Sequence, residues 1–137
     1  MRGLPLARLT APTLSDFETL AEAAYTDLPP AFLARCGEVI VRVEDFPADD
    51  VLDEMQAETP FDLLGLFQGT GLAQDSASPE TGRLPNMVFL YRRAILDYWA
   101  ENDEALGAIV THVLVHEIGH HFGLSDADIE AIERAVG

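Results

Sequence analysis

All four histidines of this chain fall between residues 112 and 121. His116 and His120 stand four residues apart, with Glu117 next to the first of them, in the run His116-Glu117-Ile118-Gly119-His120. On a helix that spacing puts both rings on one face, about 6 Å apart along the axis. Two imidazoles so placed converge on one metal ion at roughly 2.0–2.1 Å each. Glu117 is turned about 100° away around the helix, beside the ion and not on it. There a carboxylate reaches a metal-activated water as general base without using a coordination position. The chemistry that suits these residues is hydrolysis by a zinc-polarised water.

A third ligand is needed. Gly123 and Asp126 extend the pattern to H-E-x-x-H-x-x-G-x-x-D. A glycine there takes left-handed geometry, turns the chain sharply and brings Asp126 back towards the metal. Two imidazoles, a carboxylate and a water make a four-coordinate site whose water position is open to substrate. Asp126 has a rival role as a first-turn acid favoured by the dipole of the last helix. Glu130 and Glu133, on the same helix, are further candidate carboxylates, ranked below Asp126 because the Gly123 turn accounts for it directly. His112, one turn before His116 on the same face, reads as structural or solvated; His121 points away. Gly119 costs about 1 kcal/mol relative to alanine inside a helix, so it marks close packing beneath the site or room for substrate. Tyr91, Arg92 and Tyr98 read as packing or surface groups, and none is assigned as an oxyanion donor. Cys36 has no histidine near it in sequence and reads as a small buried residue.

The elements that position these groups follow from spacing. Ser15-Asp16-Phe17-Glu18 has the form of a capping box, and Phe17, Leu20, Ala21 and Ala24 predict a helix over about Asp16–Tyr25. Pro29-Pro30 stops it and starts a short turn through Ala31–Arg35. Glu38–Val43 alternates and predicts a strand with Val39, Val41 and Val43 on one face. Asp49–Ala57 predicts a short helix with Val51, Leu52 and Met55 inward. Leu63–Phe67 and Met87–Tyr91 predict two more strands. Gly65 in the first of these implies close approach of a backbone or ligand. Between them, Gly69–Asn86 is long and rich in Gly, Ser, Pro and Thr, a candidate for controlling access to the site. Arg92–Ala100 is helical, and Glu104–Phe122 is the strongest helix, with Leu106, Val110, Val113, Leu114 and Ile118 as its core stripe. Ser125 caps a last helix over Asp126–Val136, with Asp128 in the capping-box position. The aromatics, among them Phe17, Phe61, Tyr91, Tyr98 and Trp99, read as core. The fold class is α+β: a three- or four-stranded mixed sheet backed by helices, with the histidine motif on a long C-terminal helix.

Composition narrows the partners. The 137 residues fit one domain over 1–137. Lys+Arg 8 against Asp+Glu 24 gives a net charge of −16, and every cation is arginine. That field repels phosphate backbones and anionic lipid, so neither nucleic acid nor membrane is expected as partner. Peptides or flexible protein segments are expected as substrates, cationic ones favoured. One cysteine forbids an internal disulfide and fits a cytoplasmic location. No apolar run approaches the ~20 residues of a membrane span, and Arg8 and Pro12 interrupt any secretory apolar region.

On the motif His116-Glu117-Ile118-Gly119-His120-His121-Phe122-Gly123-Leu124-Ser125-Asp126 the chain resembles the minimal zincin-like metallopeptidases, small bacterial proteins with this motif near the C-terminus. The resemblance covers most of the chain, including Leu63-Leu64-Gly65-Leu66-Phe67-Gln68-Gly69 and Leu90-Tyr91-Arg92. It implies a short mixed sheet behind the motif helix and one zinc per chain, held by His116, His120 and Asp126. It also implies peptide-bond hydrolysis with Glu117 as base. Methionine occurs only at positions 1, 55 and 87, so no methionine turn follows the motif. The short stretch after His120 predicts an open cleft. Substrate is expected to lie extended along a sheet edge, with Leu63–Phe67 the candidate because Gly65 permits close backbone approach. Two other readings fit the motif: a non-proteolytic interaction module with structural metal, and a zinc hydrolase of non-peptide amides. Cobalt or nickel would suit the same ligands.

Overall fold

The computed structural model describes residues 6–69 and 86–136. After a 3-10 turn over Leu6–Arg8 comes helix α1, Leu14–Thr26. Its cap is Thr13, not Ser15: the Asp16 N–H donates to Thr13 Oγ1 at 3.1 Å and the Thr13 N–H to Asp16 Oδ2 at 2.9 Å. The sequence holds two overlapping capping boxes, and the earlier one gives the longer helix. Helix α2, Pro30–Cys36, follows, then strand β1, Val39–Glu44, and helix α3, Asp49–Glu54. This last helix is shorter than the sequence suggests. Gln56 adopts a positive φ of 56° and ends it, which leaves Met55 exposed to solvent.

Strands β2, Gly65–Gln68, and β3, Asn86–Tyr91, complete a sheet of order β1-β3-β2. β1 runs parallel to β3, and β2 antiparallel to it, so the sheet is mixed. Of the long stretch Gly69–Asn86, residues 70–85 lie outside the described residues. Helices α4, Arg92–Glu101, α5, Leu106–His121, and α6, Asp126–Val136, follow β3. Among the described residues no helix is long and apolar enough to cross a membrane.

The central strand β3 buries Val88 and Leu90, and α1 buries Phe17 and Ala21 in the same core. α5 contributes Val110, Val113, Leu114 and Ile118 as its spacing predicts, with Ile109 and Val115 added. Not all aromatics are core. Phe61, Tyr98 and Trp99 are exposed by 41%, 38% and 36%. Helix α4 turns Ala94 and Ile95 inward, but residues 97–101 are all exposed. Tyr98 and Trp99, three and four residues on along the same face, lie where the helix has run past the core. Phe61 rests edge-on against Phe46, whose ring also carries the Arg93 guanidinium at 5.3 Å.

Gly65 shows how tightly β2 is laid on the motif helix. A Cβ there would stand 2.7 Å from Val113 Cγ1, 2.9 Å from the Phe89 carbonyl oxygen and 3.4 Å from Glu117 Cγ. Of the two close approaches that a glycine here permits, the structure shows that of the backbone: β2 lies directly on the motif helix. Because one obstacle is backbone, relaxation is restricted. Gly65→Ala is expected to lower the unfolding free energy by about 1–3 kcal/mol, the usual cost of overpacking, measured by urea denaturation.

Candidate metal centre

Burying its apolar stripe fixes which way α5 faces. His112, His116 and His120 then form a second stripe at four-residue spacing, clear of the core. The ring centroids of His112 and His116 are 3.9 Å apart, and those of His116 and His120 are 5.5 Å apart. The helix ends on Gly123 at a φ of 80°. The Leu124 N–H donates to Gly119 O at 2.9 Å and the Gly123 N–H to His120 O at 3.1 Å, the paired bonds of a Schellman turn. Ser125 then caps α6: the Asp128 N–H donates to Ser125 Oγ at 3.1 Å and the Ser125 N–H to Asp128 Oδ2 at 3.3 Å.

Past that turn, α6 doubles back along α5. Gly119 makes this possible, since a Cβ there would meet Ile129 Cγ1 at 2.9 Å and Ile129 is fully buried. Close packing, not space for substrate, is the reason for the helix glycine. Asp126 and Glu133 lie seven residues apart, two turns of one helix, so both face the histidine stripe. His120 Nε2 lies 3.0 Å from Asp126 Oδ1. His116 Nε2 lies 3.0 Å from Glu133 Oε1, and His112 Nδ1 lies 3.1 Å from Glu133 Oε2. Glu130, the remaining candidate acid, is exposed and joins neither contact.

The structure thus brings His120 and Asp126 together, with His116 one turn away. Among the described residues, one set has ligand atoms all within 4.8 Å of one another: His112, His116 and Glu133. By the spacing of the motif alone, His112 and Glu133 hold lesser roles. The signal was present in the repeated four-residue spacing of 112, 116 and 120, and in the two-turn spacing of 126 and 133. A metal fits this face. The donors are imidazole nitrogens and carboxylate oxygens, a borderline-soft set. Glu133 Oε1 is buried without a hydrogen-bond partner, although His116 Nε2 stands 3.0 Å from it. A cation satisfies such an oxygen.

Glu117 sits on the other flank, half-buried between α5 and β2. Burial pushes its carboxyl above the usual range, against the opposing pull of His120 and of the Phe67 N–H, which donates to it. Burial likewise holds His116 below the ordinary imidazole range, with His112 adding to the effect, which favours the neutral ring that binds metals. His121 stacks on Phe67 with centroids 3.9 Å apart and so ties β2 to the end of α5. The other groups weighed are occupied. The Arg92 Nε donates to Pro12 O at 2.7 Å and its Nη1 to Asp45 Oδ1 at 2.8 Å. The Tyr98 hydroxyl donates to Glu104 Oε2 at 3.3 Å. Tyr91 is buried and its hydroxyl is pushed up to about 12, chiefly by that burial. Cys36 is buried, its thiol pushed up to about 11 by desolvation, too high for a nucleophile.

A family model described as zincin-like metallopeptidase matches residues 36–136, which span β1 to α6 and include the whole histidine and carboxylate face. No curated protein matches the chain. Because His116 stands at the middle of the stripe, zinc is expected to stabilise the folded chain, by about 2.7 kcal/mol at a hundred times its Kd. In His116→Ala the same zinc concentration is expected to leave the thermal midpoint unmoved, as calorimetry would show.

Proposed function

The chain belongs to the zincin-like metallopeptidase family, and from that premise we propose a zinc-dependent peptidase. His116, His120 and Asp126 hold one zinc ion, and Glu117 serves as general base. The observation that carries this reading is the meeting of His120 Nε2 and Asp126 Oδ1 at 3.0 Å, one turn from His116. Zinc held there supplies Lewis acidity, which polarises an amide carbonyl and acidifies water. The Glu117 carboxylate takes the proton of the attacking water and hands it to the departing amine nitrogen. The Phe67 N–H fixes that carboxylate, and its desolvation raises its affinity for the proton.

The substrate in this reading is a peptide or flexible protein segment, extended along β2. The Tyr91 N–H donates to Leu64 O, so alternation turns the backbone groups of Gly65 and Phe67 away from β3. Among the described residues β2 is an edge strand, and the outward carbonyls of Gly65 and Phe67 suit the N–H groups of an added strand. A net charge of −16 favours cationic segments over nucleic acid or membrane. The single cysteine fits the cytoplasm.

Glu117→Gln is expected to lower turnover of an unstructured peptide by about 10²–10⁴-fold, with zinc content by atomic absorption unchanged. Unimpaired turnover would instead leave a metal-binding module whose zinc has no catalytic part. For a lysine-rich peptide, kcat/KM is expected to fall as ionic strength rises; a flat salt profile would remove the argument from charge.

A further inference from the structure

Helix α5 carries two overlapping His-x-x-x-His pairs, and α6 sets one carboxylate against each. We propose that His112, His116 and Glu133 form a second divalent-cation site, hydrolytically inert, which competes with the His116–His120–Asp126 site because both need His116. Donors at 2.0–2.2 Å from a tetrahedral ion stand about 3.4 Å from one another. The contacts of Glu133 with His116 and His112, 3.0 and 3.1 Å, are close to that, and the three ligand atoms lie within 4.8 Å of each other. Glu133 divides its two oxygens between the two rings, and Oε1, buried, has no hydrogen bond to lose. The His112 side chain is 54% exposed. A hollow of about 260 Å³ beside it, walled by Leu64, Tyr98, Glu104 and Val113, gives a hydrated ion a way in.

The inertness follows from helix geometry and rests on the reading of Glu117 as base. An ion between His116 and His120 is level with residue 118, about 1.5 Å along the axis from Glu117. One between His112 and His116 is level with residue 114, about 4.5 Å from it. The residue that stands to the upstream pair as Glu117 stands to the downstream pair is Val113, buried against Gly65. It can take no proton. A cation on the upstream pair therefore occupies His116 and idles the enzyme.

Calorimetric titration with zinc chloride tests this without reference to turnover. The wild type is expected to bind about one ion per chain. His120→Ala and, separately, Asp126→Asn are each expected to bind about one ion still. Adding His112→Ala or Glu133→Gln to either is expected to weaken that binding by about tenfold or more, and His116→Ala to abolish it. His120 and Asp126 are exposed, so both variants should keep the circular dichroism of the wild type. The proposal is overturned if folded His120→Ala and Asp126→Asn bind no zinc. It is overturned equally if the wild type binds two ions independently. It also fails if Glu133→Gln alone weakens zinc binding while His112→Ala does not, for then Glu133 ligates with His116 and His120. An active Glu117→Gln variant would defeat the peptidase reading and leave these titrations standing.

Discussion

The contact between Ile129 and the bare Cα of Gly119 governs the position of every carboxylate on the histidine face. Burying an isoleucine side chain stabilises by about 1.5–3 kcal/mol, whereas even a full ion pair at as exposed a place as the His120–Asp126 contact contributes only about 0–1 kcal/mol. Packing therefore places the acids, and the acids do not hold the helix. The left-handed turn at Gly123 supplies the reversal, and the absent Cβ at Gly119 supplies the closeness. With a larger residue at 119, α6 would stand off from α5, and Asp126 and Glu133 would lose reach of the rings.

A second glycine does the corresponding work on the opposite flank. Gly65 lets β2 settle on α5 close enough for the Phe67 N–H to meet Glu117 and for the Phe67 ring to stack on His121. The two flanks divide the chemistry. The last helix sets carboxylates against the rings, and the edge strand desolvates and holds the Glu117 carboxylate. α5 carries both sets of residues because positions 112, 116 and 120 repeat at four while 117 lies about 100° around.

His116 is shared between neighbours on this face. His116 is the common member of two pairs, each facing its own acid, and Glu117 is placed for only the second. On the proposal above, two cations compete for that one ring, with no moving part. The excess of negative charge over the whole molecule raises the local concentration of cations near it, both metal ions and basic peptides.

Much of this was legible in the sequence. Residues 116, 117, 120, 123 and 126 stand out by type and spacing, and alternation and helical period give the elements within a few residues. Where the structure departs from the pattern, the causes are local. Thr13 and Ser15 compete for one cap with boxes of equal form, and Gln56 ends α3 by a backbone conformation that its residue type does not announce. Tyr98 and Trp99 share a face with the buried Ala94 and Ile95, yet lie in the end of α4 that runs past the core, a matter of where the helix ends against its neighbours.

What the sequence determined by itself is the order of histidines and acids along the chain, because side-chain spacing on one helix follows from about 3.6 residues per turn. What only the tertiary structure decided is which acid faces which ring, and what the two glycines make room for. Those depend on how α6 and β2 lie against α5, a distance and an angle set by side-chain packing between segments far apart in sequence, to which local periodicity is blind.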